Sequence, residues 1–385
     1  MDERCEAELR KFVAPEFIYG PGAIDLAGQY AKNLGVRKAL LVTDSGVIQS
    51  GWTQRVLDAL KLEKIAFEVF SEVTPNPKDH EVMAGADLYQ KHGCEAIIAL
   101  GGGSPMDCAK GIGIVTANSQ HILELEGVDR VSTPGPPLIC IPTTAGSSAD
   151  VSQFAIITDT TRHVKIAIVS KTVVPDVALI DPCTTMTMDR DLTACTGMDA
   201  LCHAFEAYAS NANSPVTDLH AREAVRLISH HLIAAIREPK NLERRAKMML
   251  ASLHAGLAFS NASLGAVHAM AHSLGGLLDT AHGESNAILL GPVVAYNYEA
   301  ARERYNDLAL AMGFGGTSSH LLQPLVNGLD RLRHEADIHR GLGEMGVKLS
   351  DIPQLAAKAL DDPCMVTNPR RPTQQDIEAI YETAL

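Results

Sequence analysis

Residues Ala96–Ala109 read AIIALGGGSPMDCA, an aliphatic run followed at once by a glycine-rich turn. An apolar run that ends in consecutive glycines is typical of a buried strand with a tight turn at its carboxyl end. Ser104 suits the N-cap of a following helix, and Pro105 suits its first helical position. The stretch therefore predicts a strand–loop–helix unit of an α/β fold.

The same alternation extends through the first half of the chain. Strands are expected at Lys38–Thr43, Ile65–Phe70, Ala96–Leu100, Leu138–Ile141 and Val177–Ile180. Helices are expected at Ala23–Leu34, Trp52–Leu60, His80–His92 and Met106–Val115. Phe154–Val169 reads as two strands around a polar turn, and so as a hairpin. Short aliphatic strands that alternate with helices indicate a parallel α/β sheet.

Strand signals disappear after Asp181–Pro182. Long helices are expected instead at Thr193–Ala209, Val216–Arg237, Leu242–Phe259, Ala266–Leu278 and Asn286–Asn297. A chain of 385 residues is long enough for two domains. We therefore predict an α/β dinucleotide-binding domain over residues 1–182 and an all-helical, metal-binding domain over residues 183–385.

Composition excludes several classes of partner. Lys and Arg number 33 against 46 Asp and Glu, a formal charge of −13, which argues against nucleic acid or an anionic membrane as the main partner. No apolar run approaches the roughly 18 residues of a membrane span. The eight cysteines form no CxxC motif, and the charged N-terminus lacks a signal core. Reduced cysteines and a cytoplasmic location are expected.

The glycine turn is a candidate phosphate site. Glycines allow the backbone to approach a ligand closely, and a helix N-terminus offers free N–H groups to an anion. Residues Gly101, Gly102, Gly103 and Ser104 are therefore candidates to contact a dinucleotide. The loop is neither GxGxxG nor a Walker A sequence, and a tight turn without a ligand is an equally good interpretation of the loop alone.

Polar residues follow two other predicted strands. Asp44 in LLVTDSG suits a hydrogen bond to an adenosine ribose, where its charge would favour NAD over NADP. Capping of the next turn is the alternative for Asp44. Thr143 and Thr144 follow LICIP at a strand end, where α/β sheets bind ligands. An ordinary turn stabilised by the threonine hydroxyls is the alternative for this pair.

The second half contains a candidate metal site. Asp199 and His203 are spaced i,i+4 in TGMDALCHAFEAY, and His268 and His272 repeat that spacing in LGAVHAMAHSLGG. His282 follows in DTAHGESNAI. Side chains spaced i,i+4 project from one helix face about 5–6 Å apart, so both can reach one ion. A carboxylate with three imidazoles suits iron or zinc.

The specific signal is the combination of these motifs. The chain has 15 histidines, so one i,i+4 pair arises easily by chance, and a single histidine is more often structural. Ala269 occupies the second position of the pair His268–His272, so this is not the HExxH motif of metalloproteases. With the glycine loop, the pattern favours a metal-assisted redox enzyme.

At these residues the chain resembles the iron-dependent (group III) alcohol dehydrogenases, which include lactaldehyde reductases and propanediol and butanol dehydrogenases. The similarity runs nearly end to end and in the family's order. The motifs are GPGAIDLAG, TPNP, ALGGGSPMDCAKGIG, IPTTAGSSAD, VALIDP, TGMDALCHAFEAY, GLAFSNASLGAVHAMAHSLGG, AHGESNAILL and NPRRPTQQDIEAIY.

The resemblance implies a Rossmann-like domain followed by an all-helical domain, in the dehydroquinate synthase-like architecture, with the active site between them. It implies hydride transfer between NAD and a small primary alcohol, diol or aldehyde. It also implies that Asp199, His203, His268 and His282 bind Fe²⁺, with Zn²⁺ as the alternative.

The resemblance assigns further roles one residue at a time. The implied cofactor contacts are Asp44, Asn76, Gly101, Gly102, Gly103, Ser104, Thr143, Thr144 and Lys165. Phe154 and Phe259 fall where the family's substrate pocket is lined. His272 is implied to be a polar group near the metal, suited to proton relay or to orienting a ligand. Residues 147–152 read SSADVS where many relatives have T-G/A-S/A-E-V-T, so no single alcohol is implied.

Other functions remain as alternatives. Glycerol-dehydrogenase-like polyol oxidoreductases and dehydroquinate-synthase-like lyases share the broad architecture but use a different ligand set. A regulatory or scaffolding protein that kept the fold is expected to have a damaged ligand set, whereas all four positions are filled here. Phe17–Tyr19 reads as a short apolar strand, and an uncovered edge strand is a liability that a partner removes. With the family resemblance, this predicts a homodimer or a multiple of dimers.

Overall fold

The first half of the chain forms a parallel sheet and the second half is helical. The computed structural model describes residues 9–278, 280–315 and 320–385. The strands are β1 Glu16–Tyr19, β2 Lys38–Val42, β3 Ala66–Phe70, β4 Ala96–Gly101, β5 Gly127–Val128, β6 Leu138–Pro142, β7 Phe154–Asp159, β8 Val164–Val169 and β9 Val177–Ile180. The helices of the first half are α1 Ala27–Asn33, α2 Ser45–Gln49, α3 Trp52–Leu62, α4 Asp79–His92 and α5 Gly103–Asn118.

Nine further helices follow the last strand. They are α6 Arg190–Ala209, α7 Pro215–Arg237, α8 Leu242–Ala262, α9 Ala266–Leu278, α10 His282–Asn297, α11 Arg302–Ala311, α12 Leu322–Glu335, α13 Ile352–Asp361 and α14 Gln374–Thr383 among the described residues. The predicted order of an α/β half and a helical half is confirmed.

Six strands form the main sheet, in the order β1-β9-β6-β4-β2-β3 and all parallel. The central strands β4, β6 and β9 are buried along their whole length, as expected when both faces of a parallel sheet are covered. The segment predicted as a hairpin is the antiparallel pair β7–β8, which forms a second sheet with β5. Both predictions of sheet type are confirmed.

Helix α6 lies at the centre of the helical half and is packed most closely by α7, α8 and α10. Its second half is buried on every side, which is typical of a helix enclosed by others. Alanines occupy many of its positions and let the neighbouring helices approach. Because Asp199, His203 and Glu206 lie within this enclosed stretch, each needs a polar partner inside the protein.

Some predicted helix limits were wrong. Helix α5 begins at Gly103 with Gly102 as its N-cap, so Ser104 is not the cap and Pro105 is the third helical residue. Residues 23–34 form a 3₁₀ turn before α1 rather than one helix. Helix α10 begins at His282, four residues earlier than predicted. Its first turn therefore carries a predicted metal ligand, whose position is fixed by helical geometry.

Strand β1 lies at one edge of the main sheet, where β9 is its one partner among the described strands. Two of its side chains, Phe17 and Tyr19, are 42% and 37% exposed. The predicted N-terminal strand is therefore present at a sheet edge. Among the described helices, none combines the length and the apolar character needed to cross a membrane.

Candidate active site

Helices α6, α9 and α10 bring the four predicted metal ligands together. The Oδ1 atom of Asp199 lies 3.9 Å from Nε2 of His203, 3.6 Å from Nε2 of His268 and 3.8 Å from Nε2 of His282. Asp199, His268 and His282 form one group with ligand atoms within 4.8 Å of one another, and His203 lies outside this group. Ligands of a tetrahedral ion at about 2.1 Å are roughly 3.4 Å apart, so the observed spacing fits one ion.

The amide of Asn286 tests this fit. Its Nδ2 atom lies 2.7 Å from Asp199 Oδ1, 3.1 Å from His268 Nε2 and 3.2 Å from His282 Nε2. An amide has two protons, so it cannot satisfy three acceptors at once. Its own Oδ1 is buried and has no hydrogen-bond partner among the described residues. The acceptor atoms that face this point outnumber the protons that the amide can donate to them, and such an arrangement suits a cation. The residues present therefore fit a divalent metal.

The electrostatics of the cluster are those of a carboxylate held ionised. Burial alone raises the pKa of Asp199, but His203, His268 and His282 outweigh it and hold this pKa below its usual range. Burial lowers the pKa of His203 to about 4, against the pull of Asp199. His203 is therefore neutral at physiological pH, as a metal ligand must be.

Glu206 orients one of these histidines. Its Oε2 atom lies 2.5 Å from Nδ1 of His268, and its Oε1 atom accepts the backbone N–H of Val267 at 2.6 Å. A proton on Nδ1 leaves Nε2 free to face Asp199, the arrangement typical of a carboxylate behind a metal-binding histidine. Burial lowers the pKa of His268, but Glu206 and Asp199 outweigh it and raise this pKa to about 9, so without a cation Nε2 also carries a proton, which a metal ion would have to displace.

A second carboxylate orients His272. Nδ1 of His272 lies 2.8 Å from Oδ2 of Asp362, whose Oδ1 accepts the backbone N–H of Cys364 at 2.8 Å. Burial raises the pKa of Asp362, but interaction with His272 outweighs it and holds this pKa low. The His272 ring stacks on that of His282, with centroids 5.4 Å apart. Nε2 of His272 is thus left available beside the cluster.

One cavity of about 760 Å³ joins the metal cluster to the carboxyl ends of the strands. Nearly all of the predicted site residues line it. They are Asp44, Asn76, Gly102, Gly103, Ser104, Thr143, Thr144, Phe154, Lys165, Asp199, His203, Phe259, His268, His272 and His282. Gly101 does not line the cavity; it is the buried last residue of β4. Its φ of +152° and the contact that a Cβ would make with Pro105 at 2.6 Å require glycine there.

The glycine turn meets its neighbours across this cavity. Ser104 Oγ accepts the backbone N–H of Asn76 at 3.2 Å, and Lys165 Nζ donates to Asn76 Oδ1 at 2.8 Å. Thr144 packs against Gly102, where a Cβ would lie 3.3 Å from the threonine side chain. A side chain at position 102 would therefore require Thr144 to move by a few tenths of an ångström.

Asp44 lines the cavity and also caps a helix. Its Oδ1 atom accepts the N–H of Val47 at 2.9 Å, at the start of α2. The capping alternative is thus present in the structure. The cap uses only the Oδ1 atom of Asp44, so its Oδ2 atom can still bind a ribose and the two roles are compatible.

Two phenylalanines border the metal cluster. The Phe259 ring stacks on His203 with centroids 4.3 Å apart, and Phe154 lies 5.8 Å from Phe259. The aromatic pair makes an apolar surface next to the candidate metal position, as expected of a pocket for the carbon chain of a small substrate.

Three functional candidates were missed in the sequence. Glu206 lies three residues after His203 on the same helix face, so helical periodicity could have indicated it. Asn286 is likewise four residues after His282, but the expected helix began too late to show this. Asp362 is 90 residues away from His272, and no local pattern connects them.

Comparison with known proteins points in one direction. The family model of iron-containing alcohol dehydrogenase matches residues 14–182, and the C-terminal model of the Fe-containing alcohol dehydrogenase family matches residues 193–385. The 1,3-propanediol dehydrogenase of Klebsiella pneumoniae is 41% identical over 371 residues, covering 95% of this chain and 96% of the relative.

Two further similarities span nearly the whole chain. The NAD-dependent methanol dehydrogenase of Bacillus methanolicus is 36% identical over 377 residues, covering 97% of this chain and 99% of the relative. A crystal structure of 1,3-propanediol oxidoreductase superimposes with a TM-score of 0.96 at 40% identity, covering 98% of this chain and 100% of the other.

The cluster predicts a specific loss of metal. His268→Ala removes one imidazole and the partner of Glu206, so bound metal should fall at least tenfold in protein purified anaerobically. Helical content by circular dichroism should remain near that of the wild type. His254→Ala, at a half-buried histidine of α8 that does not line the cavity, is the control and should keep its metal. Equal metal content in His268→Ala and wild type would contradict the assignment.

Proposed function

The chain belongs to the iron-containing alcohol dehydrogenase family, and from this premise we propose how its cleft works. It is an NAD-dependent, metal-dependent oxidoreductase of small alcohols or diols. The observation that carries the site assignment is that the four candidate ligands and the glycine turn face one cavity.

Asp199, His203, His268 and His282 are the residues proposed to hold Fe²⁺. The contacts around the Asn286 amide support Asp199, His268 and His282. His203 is included because its Nε2 lies 3.9 Å from Asp199 Oδ1. When bound, the metal supplies Lewis-acid polarisation of a substrate oxygen and NAD accepts or supplies the hydride. The protein contributes the binding and orientation of both reactants in one cavity.

The cofactor residues are proposed from position. Gly102, Gly103 and Ser104 at the start of α5 offer N–H groups to a pyrophosphate. Asp44 is proposed to bind the adenosine ribose at the end of β2. Thr143, Thr144, Asn76, Lys165 and Gly101 complete this proposed set, with Gly101 acting through the shape of the turn.

His272 is the proposed proton carrier. Asp362 accepts the Nδ1 proton, so Nε2 is the nitrogen that can take a proton from an alcohol or return it to an aldehyde. A role limited to orienting His282, on which its ring stacks, is the alternative.

The relatives suggest which compounds to try. Methanol and propane-1,3-diol are implied by the names of two of them. Anaerobically purified protein with Fe²⁺ should form NADH from at least one small primary alcohol or diol and consume NADH with the matching aldehyde. A chelator should abolish both reactions and Fe²⁺ should restore them. No NAD-linked turnover with any alcohol or aldehyde would contradict the proposal and favour a non-catalytic or lyase function.

Asp44 predicts the choice of dinucleotide. Its carboxylate should repel the 2′-phosphate of NADP, so wild type should use NAD at least tenfold better by kcat/KM. Asp44→Gly should narrow this gap. Because Asp44 also caps α2, Asp44→Asn is the matched control, which retains a capping group without the charge. A wild type that uses NADP as well as NAD would refute the role of Asp44.

His272 gives a prediction that separates its two possible roles. His272→Ala should keep its metal, lower kcat by about a hundredfold and change the pH dependence of kcat. Asp362→Asn should also lower kcat, because it removes the carboxylate that accepts the Nδ1 proton of His272 and so disturbs the tautomer of that ring. Loss of metal in His272→Ala would indicate support of the metal site, and an unchanged pH profile would eliminate proton relay.

Assembly, domain limits and location are further proposals. We propose that β1 pairs with β1 of a second copy, because its exposed Phe17 and Tyr19 lie at a sheet edge. Light scattering should give the mass of a dimer or a multiple of it, and a stable monomer at micromolar concentration would contradict this.

We place the boundary between the two domains at Pro182. The described cysteines form no disulfide, which supports a cytoplasmic location.

A further inference from the structure

A second group of possible metal ligands includes His272, the proposed proton carrier. The side chains of His272, Asp362 and Cys364 each offer one ligand atom, and these atoms lie within 4.8 Å of one another. The group combines an imidazole, a carboxylate and a thiol. None of the three belongs to the four residues proposed to hold Fe²⁺, so the iron cluster does not account for this group.

The local fold holds these three side chains together. Helix α13 ends just before Asp362, whose Oδ1 atom accepts the N–H of Cys364 in the following 3₁₀ turn. Both α13 and this turn pack against α9, which carries His272. The other carboxylate oxygen of Asp362, Oδ2, lies 2.8 Å from Nδ1 of His272. Nδ1 is therefore the ring nitrogen on the side of the carboxylate, and Nε2 faces away from it.

The group is buried but can be reached from the active-site cavity. The side chains of His272 and Asp362 are 8% and 9% exposed, and Cys364 is 2% exposed. His272 and Cys364 line the same cavity as the iron cluster. A small cation in that cavity therefore has a path to two of the three ligands, and a water molecule from the cavity can complete its coordination.

The thiol determines which cations suit this group. Thiolate ligands favour Zn²⁺ and softer ions of the same charge, such as Cd²⁺. Nitrogen, oxygen and sulfur ligands of a tetrahedral zinc ion lie about 2.0–2.3 Å from the metal, and hence roughly 3.4–3.7 Å from one another. The observed limit of 4.8 Å requires only small side-chain movements to reach this spacing. The four candidate iron ligands include no thiol, so the two groups differ in the metal they favour.

Binding of a cation here would rearrange the protons of the group. Without a cation the thiol is protonated, because burial and the nearby carboxylates raise the pKa of Cys364 well above its usual value. A bound Zn²⁺ ion would replace the proton on Sγ, which is released to solvent. It would also replace the proton on Nδ1 of His272, and a neutral imidazole would then carry its proton on Nε2. One Zn²⁺ would balance the charges of one thiolate and one carboxylate.

We propose that His272, Asp362 and Cys364 form an inhibitory site for a thiophilic divalent cation such as Zn²⁺, and that its occupation stops turnover while iron stays bound. The inhibition rests on the proposed function, in which Nε2 of His272 accepts the proton of the alcohol. With the cation on Nδ1, Nε2 carries a proton and has no lone pair to accept another. The cation thus acts through the proton carrier and does not replace the catalytic metal.

The test uses Fe²⁺-loaded holoenzyme equilibrated with Zn²⁺ or with Cd²⁺. Elemental analysis should find one zinc ion per chain with the iron content unchanged. NAD-linked turnover should fall at least about tenfold, because general acid–base catalysis contributes at least that much. Cd²⁺ in place of Zn²⁺ should produce the ultraviolet charge-transfer absorption of a cadmium–thiolate bond, a signal that does not depend on turnover.

Two cysteine variants identify the site. Cys364→Ser replaces the sulfur by a smaller and harder ligand, so the cadmium–thiolate absorption should disappear. Zinc should bind at least about tenfold more weakly, since even the loss of a group behind a metal ligand costs that much. Cys195→Ser is the matched control, because Cys195 also lines the cavity but is not part of the group. It should bind both cations as the wild type does. Inhibition of each variant is measured against its own rate without zinc.

The outcomes separate this site from the function on which its effect rests. The site is contradicted if no zinc binds beside the iron, if zinc displaces the iron, or if Cys364→Ser binds zinc as tightly as the wild type. Zinc bound at Cys364 without loss of turnover contradicts the inhibition. A wild type that is inactive before zinc is added contradicts the proposed function instead. The metal content and the cadmium absorption still decide in that case whether the site exists.

Discussion

The burial of one carboxylate among imidazoles is the constraint on which the helical half depends. Asp199 lies in the enclosed part of α6, where an ionised group without partners would cost several kcal/mol. Three histidine nitrogens lie within 3.9 Å of its Oδ1 atom, and they come from α6, α9 and α10. These helices must therefore keep a fixed arrangement, and the same arrangement creates the candidate metal position.

The sheet provides the second part of the cleft by an independent rule. Carboxyl ends of parallel strands share one edge of a sheet, so Asp44 after β2, the glycine turn after β4 and Thr143 after β6 all reach the same cavity. The β7–β8 hairpin carries Phe154 and Lys165 to this cavity from outside the main sheet. The substrate and NAD, between which hydride transfer is proposed, can meet because the sheet-containing half and the helical half border one cavity.

Much of this arrangement can be predicted from sequence, because its signals are local. The five aliphatic strands are recognised from short-range periodicity, which a single sequence records. The same holds for the two i,i+4 pairs, Asp199 with His203 and His268 with His272. The predicted start of α5 was wrong because serine is a favoured N-cap residue, whereas the N-cap in the structure is Gly102, two residues before Ser104. Composition gives no indication of which of two adjacent capping residues the tertiary structure uses.

Contacts between distant segments could not be predicted in this way. Asp362 meets His272 across 90 residues, and Asn286 meets Asp199 across 87. Each contact depends on how whole helices and strands pack, and neither residue lies in a motif that indicates its partner. The polar groups that orient the site were therefore found only in the structure, although most groups proposed to bind ligands were identified in the sequence.

Anomalous X-ray diffraction from crystals of anaerobically purified, Fe²⁺-loaded protein tests the central claim most directly. Data collected on both sides of the iron absorption edge locate the metal without reference to activity. The account predicts one anomalous peak about 2.0–2.3 Å from a carboxylate oxygen of Asp199 and from Nε2 of His203, His268 and His282. A peak bound elsewhere, or none at this cluster in protein shown to contain stoichiometric iron, would contradict it.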